Sequence, residues 1–457
     1  MKKRLFVLLA VVSILLIATA APTFSKKDKN PLDDLVTYVQ AGGGSVHFVP
    51  KVVAEPVNFQ EFSADFDGGL LTWDHDMIDV EKVDGYTGEG VYVAILDTGL
   101  AVNWRAYFPE ERIATELGRG FVDKGIMKED KAGIYKPNVV ESKDYHGDHP
   151  HGTHVASTVI GYALRGTPVD GVAPGARIIP VKVLETYPAL KATFGTDAAV
   201  AAGINYIAEL AEERPDDSFV INMSLGSLSV ISDIEKEAID RAIAAGVIVV
   251  TSVGNDDIAG MGSPASYDPV IAVGSSGWAF DPYTCSGEWV ELLDGDCYLS
   301  GAFWYQDVPE DDSAFVSYIS EFSARERQDL WPDTDQNIDV VAPGSWVVGP
   351  YPYSKIPWWS GSDQAGDSQF YFVGGTSMAS PHVAGVAALM LEANPTLVQT
   401  DVEGILQSTA DFLPFEDTQL VADPNYGVIL VSWGLDGFDA VGFGLVQADA
   451  AVLDALP

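Results

Sequence analysis

The stretch Val91-Tyr92-Val93-Ala94-Ile95-Leu96-Asp97-Thr98-Gly99 decides how the rest of the chain is read. Six consecutive apolar residues, two of them valine, have no polar face, so the run suits a strand covered on both sides. It ends in a carboxylate followed by Thr-Gly. A carboxylate closing a buried strand is costly to desolvate unless a partner hydrogen-bonds it, such as an imidazole N–H. The plainer alternative is a carboxylate capping a local turn, since Asp-Thr-Gly is ordinary turn chemistry.

Similar apolar runs recur at 177–184, 219–223, 247–251 and 270–273. Between them lie helical patterns. Residues 197–210 carry Val200, Ile204 and Ile207 at helical spacing, with Thr196 or Asp197 as cap. Residues 232–245 open with a Ser232…Glu235 capping box and end at Gly246. Residues 380–392 read as a buried Ala/Val/Leu-rich helix stopped by Asn394-Pro395, and Thr400…Glu403 reads as the cap of the next. Strand–helix alternation with short connections gives right-handed βαβ units and an α/β fold, a mainly parallel sheet between helical layers. In such sheets functional groups collect beyond the carboxyl ends of the strands, which is where Asp97 stands.

Outside this region the texture changes. Lys2, Lys3 and Arg4 precede a short apolar stretch at 5–17 and the small residues Ala18-Thr19-Ala20, the pattern of a cleaved signal peptide over 1–20. An uncleaved membrane anchor is the other reading. Residues 21–70, with a Gly42-Gly43-Gly44 run and little periodicity, read as a linker or short pro-segment. The remaining 71–457 reads as one catalytic domain with surface insertions near 277–335 and 413–440, where aromatics and acids replace helical periodicity. Cys285 and Cys297, the only cysteines, lack the neighbours of a nucleophile or zinc ligand set, and in an exported chain they read as a short-loop disulfide.

The formal net charge is −40, from 66 acidic and 26 basic residues. Such a surface repels phosphates and excludes a nucleic-acid partner. It suits a secreted protein, a salty medium or bound cations, and names no substrate.

Two further segments carry chemistry. Four of the seven histidines, His146, His149, His151 and His154, crowd together. Their spacing invites a zinc reading, but no Cys or Glu stands at a familiar zinc interval, and no metal ligand is assigned. His151 opens a helix, where an imidazole can be bonded on one side and exposed on the other, as a general base needs. In Gly374-Gly375-Thr376-Ser377-Met378-Ala379-Ser380-Pro381-His382, the glycines permit a tight turn and Pro381 fits a first helical turn. Ser377 then stands at a helix N-terminus, where orphan N–H groups and the helix dipole favour a developing oxyanion. A simple N-cap would account for one hydroxyl only.

In the order Asp…His…Ser these segments resemble the signature blocks of the subtilisin-like serine protease family. Further blocks agree, among them Gly171-Val172-Ala173-Pro174, Ile221-Asn222-Met223-Ser224-Leu225-Gly226, Ser252-Val253-Gly254-Asn255 and Gly442-Phe443-Gly444-Leu445-Val446. The resemblance implies a three-layer α/β/α fold and a secreted serine endopeptidase acting on proteins or peptides through an acyl-enzyme. It implies Ser377 as nucleophile, His151 as general base and acid, Asp97 as the orienting carboxylate, and Asn255 as an oxyanion donor beside the Ser377 N–H. Ser224, Leu225 and Gly226 would offer a backbone edge to the substrate, and Gly254 would wall the pocket for the residue before the cleaved bond. No cofactor is implied for the chemistry. Structural calcium is common in the family, yet 161–170 is short of oxygen-bearing side chains, and no ligands are assigned. Pro150 replaces the family's usual glycine before the histidine. No stable membrane association is expected once the signal is cleaved, and no oligomeric state is legible. A protease-like binding protein without activity is the alternative; such proteins lack one of the four chemical residues, and here all four are present.

Overall fold

The sheet expected around 91–97 is the centre of the molecule. The computed structural model describes residues 46–48, 53–56, 71–127, 135–164, 166–278, 317–352, 369–413, 418–423, 427–432 and 439–457. The signal-peptide reading of 1–20, both cysteines, and parts of the insertions at 277–335 and 413–440 lie outside the described residues.

Strand Val91–Asp97 pairs in parallel with Arg177–Lys182 on one side and Ser218–Met223 on the other. The sheet continues in parallel through Ile248–Ser252 to Ile271–Trp278 in one direction, and through Arg119–Asp123 in the other. Antiparallel strands Val139–Ser142 and Ser317–Ile319 close its two ends. The chain first builds outward from Val91–Asp97 on one side, then returns to its other flank with Ser218–Met223. That reversal opens a crevice beyond the carboxyl ends of these two strands.

All seven residues of Val91–Asp97 are buried, and their alternation feeds two cores. Val91, Val93 and Ile95 pack on the face that holds helices His151–Ile160 and Thr376–Ala393. Tyr92, Ala94 and Leu96 pack on the face covered by Asp197–Glu213 and Asp233–Ala244. This is the three-layer arrangement expected of a strand apolar at every position.

Local signals differ in three places. The helix read over 380–392 begins at Thr376, so Pro381 lies inside it rather than in its first turn. Helix Gln399–Thr409 is capped two residues earlier than expected: Asp401 Oδ2 accepts from Val398 N at 3.1 Å. Ser232 takes the N-cap position of Asp233–Ala244, but its side chain accepts no capping bond from the backbone N–H groups; its hydroxyl donates to Glu235 Oε2 at 3.2 Å. Glu235 is fully buried, and its other oxygen lies 2.7 Å from His47 Nε2. His47 belongs to strand Val46–Phe48, which pairs with Ala192–Thr196, while Val53–Pro56 pairs with Phe370–Gly374. The described parts of 21–70 are thus strands added to edges of the larger fold.

Candidate active site

Asp97 closes its strand with no exposure to solvent. Its two oxygens meet His151 Nδ1 at 3.0 and 2.8 Å, and Oδ1 also accepts from Thr98 N at 2.5 Å. The imidazole N–H that the sequence demanded for this carboxylate is therefore supplied, and a carboxylate on Nδ1 fixes the ring's tautomer, leaving the lone pair on Nε2. The loop around it is tied tightly. Thr98 Oγ1 donates to His149 O and accepts from Gly152 N, both at 3.0 Å, and Ala101 N donates to Thr153 Oγ1 at 2.8 Å. Gly152 leaves no room for a side chain, since a Cβ there would stand 2.6 Å from Gly99 O and 3.1 Å from Asp97 Oδ1. Pro150, unusual before the histidine, takes the cap position and accepts from Thr153 N and His154 N, so it fits the helix start without displacing His151.

Asn222 is level with Ile95 across the sheet, which brings Ser224 level with Asp97. Ser377 reaches the same place from the opposite side, its Oγ donating to Ser224 O at 3.4 Å. Pro381 explains the architecture here. Lacking an N–H, it cannot satisfy the carbonyl one helical turn back, that of Ser377. Ser224 Oγ fills that gap, donating to Ser377 O at 2.8 Å while it accepts from Asn222 Nδ2 at 3.0 Å. The Ser224 side chain therefore supports the helix start, and only its backbone is available for an edge. The turn into the helix is extended, with Gly375 at φ 166°, so it does not exploit the glycine-only left-handed region.

Asn255 accepts from Thr376 N at 2.9 Å and from Thr376 Oγ1 at 2.8 Å. Both donors face its Oδ1, which sets the amide plane and leaves Nδ2 as its donor end. Gly254 adopts φ +105°, open to glycine, and a Cβ there would meet nothing closer than 3.8 Å. The space beside it is bounded by Gly262, whose N–H donates to Val253 O at 3.2 Å, and by the reciprocal Ser227–Ser263 backbone pair. Leu225 is fully buried in the core. Asp97, His151, Ser377, Asn255, Ser224, Gly226 and Gly254 are thus drawn to one end of the sheet from segments far apart in sequence.

The other clustered histidines have separate partners. His146 pairs with Asp144 at 3.0 Å, His154 Nε2 contacts Val347 O at 3.2 Å, and His149 Nδ1 accepts from His151 N at 3.3 Å. Burial and the neighbouring His151 push His149 and His154 down to about 3, so both are neutral near pH 7. His151 Nε2 itself is buried and has no hydrogen-bond partner among the described residues. An acceptor lone pair in this position is what a base waiting for a hydroxyl proton requires. The contribution of Ser224 to the helix start could have been found from sequence only by asking what replaces the Pro381 N–H.

The subtilase family model matches residues 88–429. Subtilisin DY of Bacillus licheniformis is 32% identical over 341 residues, covering 73% of this chain and 89% of that protein. Bacillopeptidase F of Bacillus subtilis is 28% identical over 94% of this chain, which spans only 28% of that longer protein. Among solved structures, fervidolysin from Fervidobacterium pennivorans, described as a keratinolytic enzyme related to subtilisin, aligns with a TM-score of 0.55. It is 23% identical over 90% of this chain and 52% of its own, a likeness of fold. A family match across most of the chain, together with the similarity to subtilisin DY, means that the chain belongs to the subtilase family and is a subtilisin-like serine endopeptidase.

Proposed function

We propose that the chain hydrolyses peptide bonds in proteins through Ser377, His151 and Asp97, as an exported enzyme. The observation that carries this reading is the buried Asp97–His151 pair, bonded at 2.8 Å at the sheet's carboxyl end, with Ser377 entering the same crevice at a helix N-terminus. In the proposed cycle, Ser377 Oγ attacks the scissile carbonyl as His151 Nε2 takes its proton. Asp97 stabilises the resulting imidazolium. The oxyanion is held by the Ser377 N–H and by Asn255 Nδ2, whose orientation the Thr376 bonds support. His151 returns the proton to the leaving amine, and water then cleaves the acyl-enzyme by the same relay. Gly226 and the backbone of 224–225 would align the substrate, with Gly254 beside the residue preceding the cleaved bond. No cofactor takes part in these steps.

Residues 1–20 would act as a signal and 71–457 as the catalytic domain. Cys285 and Cys297 would pair once exported. Val53–Pro56 pairs with Phe370–Gly374, the strand that leads into Thr376 and Ser377, which supports reading 21–70 as a segment whose removal precedes activity. The test is hydrolysis of casein by the secreted, N-terminally processed protein and by its Ser377→Ala variant. Turnover by the first and a loss on the order of a million-fold in the second, a magnitude taken over from subtilisin, is the expected result. Equal turnover by both would refute the assignment.

A further inference from the structure

We propose that Asp74, His75 and His382 form a binding site for one divalent transition-metal ion of the zinc class, separate from the peptidase groups. The three residues come from two segments. Asp74 and His75 lie in the short helix Trp73–Asp76, and His382 lies in the helix that begins with Thr376 and Ser377. All three are buried, at 2%, 3% and 0% exposure.

Their ligand atoms converge. One such atom from each residue lies within 4.8 Å of the others. His382 Nε2 is 3.1 Å and His75 Nε2 3.6 Å from Asp74 Oδ2. A metal about 2.0–2.2 Å from each ligand separates tetrahedral ligands by roughly 3.4 Å, close to both measured edges. Both rings are also held in the way metal-ligating histidines are held. His382 Nδ1 is bonded to Met378 O at 2.8 Å, and a carbonyl accepts only, so this nitrogen carries the proton. His75 Nδ1 meets the Thr72 hydroxyl at 3.0 Å. Each ring is thus anchored through Nδ1 and turns Nε2 toward Asp74.

A hydrogen-bonded trio without metal accounts for the His382–Asp74 contact but not for the rest. His75 Nε2 and Asp74 Oδ1 are buried without a well-formed hydrogen bond among the described residues; what they have are weaker contacts, the Thr158 carbonyl to the His75 ring and the Thr72 hydroxyl to the Asp74 carboxylate. Leaving such groups poorly satisfied in a buried position is costly, and a cation held by the Asp74 carboxylate and the two Nε2 atoms reduces the cost. Two imidazoles and one carboxylate suit zinc or a similar ion rather than calcium, which takes six to eight oxygens. The site would fasten the start of the catalytic domain to the nucleophile helix.

The experiment uses the full chain carrying Ser377→Ala, which prevents self-cleavage. The protein is stripped with a chelator, then titrated with cobalt(II) and with zinc chloride. Bound metal is counted by mass spectrometry, cobalt coordination is read by visible absorption, and Tm is measured with and without zinc. The expected result is one equivalent bound, a tetrahedral cobalt spectrum, and a Tm raised by zinc. His75→Gln, which replaces one ligand outside the nucleophile helix, is the informative variant. It should fold with the Tm of the stripped parent, bind cobalt about tenfold more weakly or worse, and lose the zinc-dependent rise. If the parent binds no metal, or if His75→Gln and Asp74→Asn keep the cobalt spectrum, the assignment is wrong.

Discussion

Carboxylates at two places in this molecule are handled in opposite ways. At the carboxyl end of the sheet, Asp97 is fully buried and its charge is matched by an imidazole N–H and a backbone N–H. On another face, Asp268, Glu326, Asp335, Asp339, Glu403 and Asp439 line a cavity of about 450 Å³. There the carboxylates face one another. Burial pushes Glu326 and Asp339 up to about 7, and neighbouring acids add to it, chiefly Asp439 for Glu326 and Glu403 for Asp339. The hydrogen bonds they do receive, to Glu326 Oε1 from Ile338 N at 2.9 Å and to Asp339 from Ala272 N and Gln407 Nε2, each at 2.7 Å, offset only part of this. Asp97 is met by donors from two directions, whereas at the cavity Glu326 and Asp339 keep their protons to higher pH. A chain with formal net charge −40 has many carboxylates to place, and these two places show two ways of doing it.

The same chemical change, acid to amide, should therefore do opposite things at the two places. Asp97→Asn leaves the shape of the site but presents the wrong partner to His151 Nδ1, favouring the tautomer whose Nε2 carries the proton. Turnover should fall about ten-thousand-fold, the size seen for the equivalent change in a triad of another fold, with apparent substrate affinity little altered. A loss confined to KM would mean that Asp97 serves substrate binding, and the contrast would fail.

At the cavity the readout is stability. Glu326 has its folded value raised from 4.5 to about 7, so between these values the folded state holds a proton that the unfolded state has lost. Its contribution to stability is accordingly present below pH 4.5 and is lost as the pH rises through 7. Glu326→Gln keeps the acceptor for Ile338 N and removes the titration. The variant should gain on the parent as the pH rises from 5 to 8, by on the order of 1 kcal/mol once solvent screening of this half-buried side chain is allowed for. Parallel Tm profiles for the two proteins would show that the cavity is not strained by charge.

How much of this could be read from residues alone follows the range of each interaction. The Val91–Asp97 strand, the helix cap at Thr196, whose hydroxyl accepts from Ala199 N at 3.4 Å, and the Asp, His and Ser blocks are local patterns, and they were legible. The helix starting at Thr376 was placed four residues late because Pro381 looks like a first-turn residue when only its neighbours are considered. Its tolerance deeper in the helix depends on Ser224, 153 residues away from the carbonyl it satisfies. The Asp401 cap and the diversion of Glu235 toward His47 were missed for the same reason: each choice between equivalent local partners is settled by what packs against them. The acidic cavity gathers residues between 268 and 439, and no sequence window contains enough of them to show it.

The most direct test of the peptidase assignment is chemical. The processed protein is treated with a fluorophosphonate, digested with a second protease, and mapped by mass spectrometry. A single adduct on Ser377, absent after Asp97→Asn or after denaturation before labelling, is the predicted result, because only a serine activated by an oriented imidazole attacks the reagent at a useful rate. An adduct on another serine, or none on a protein that still cleaves casein, would contradict it.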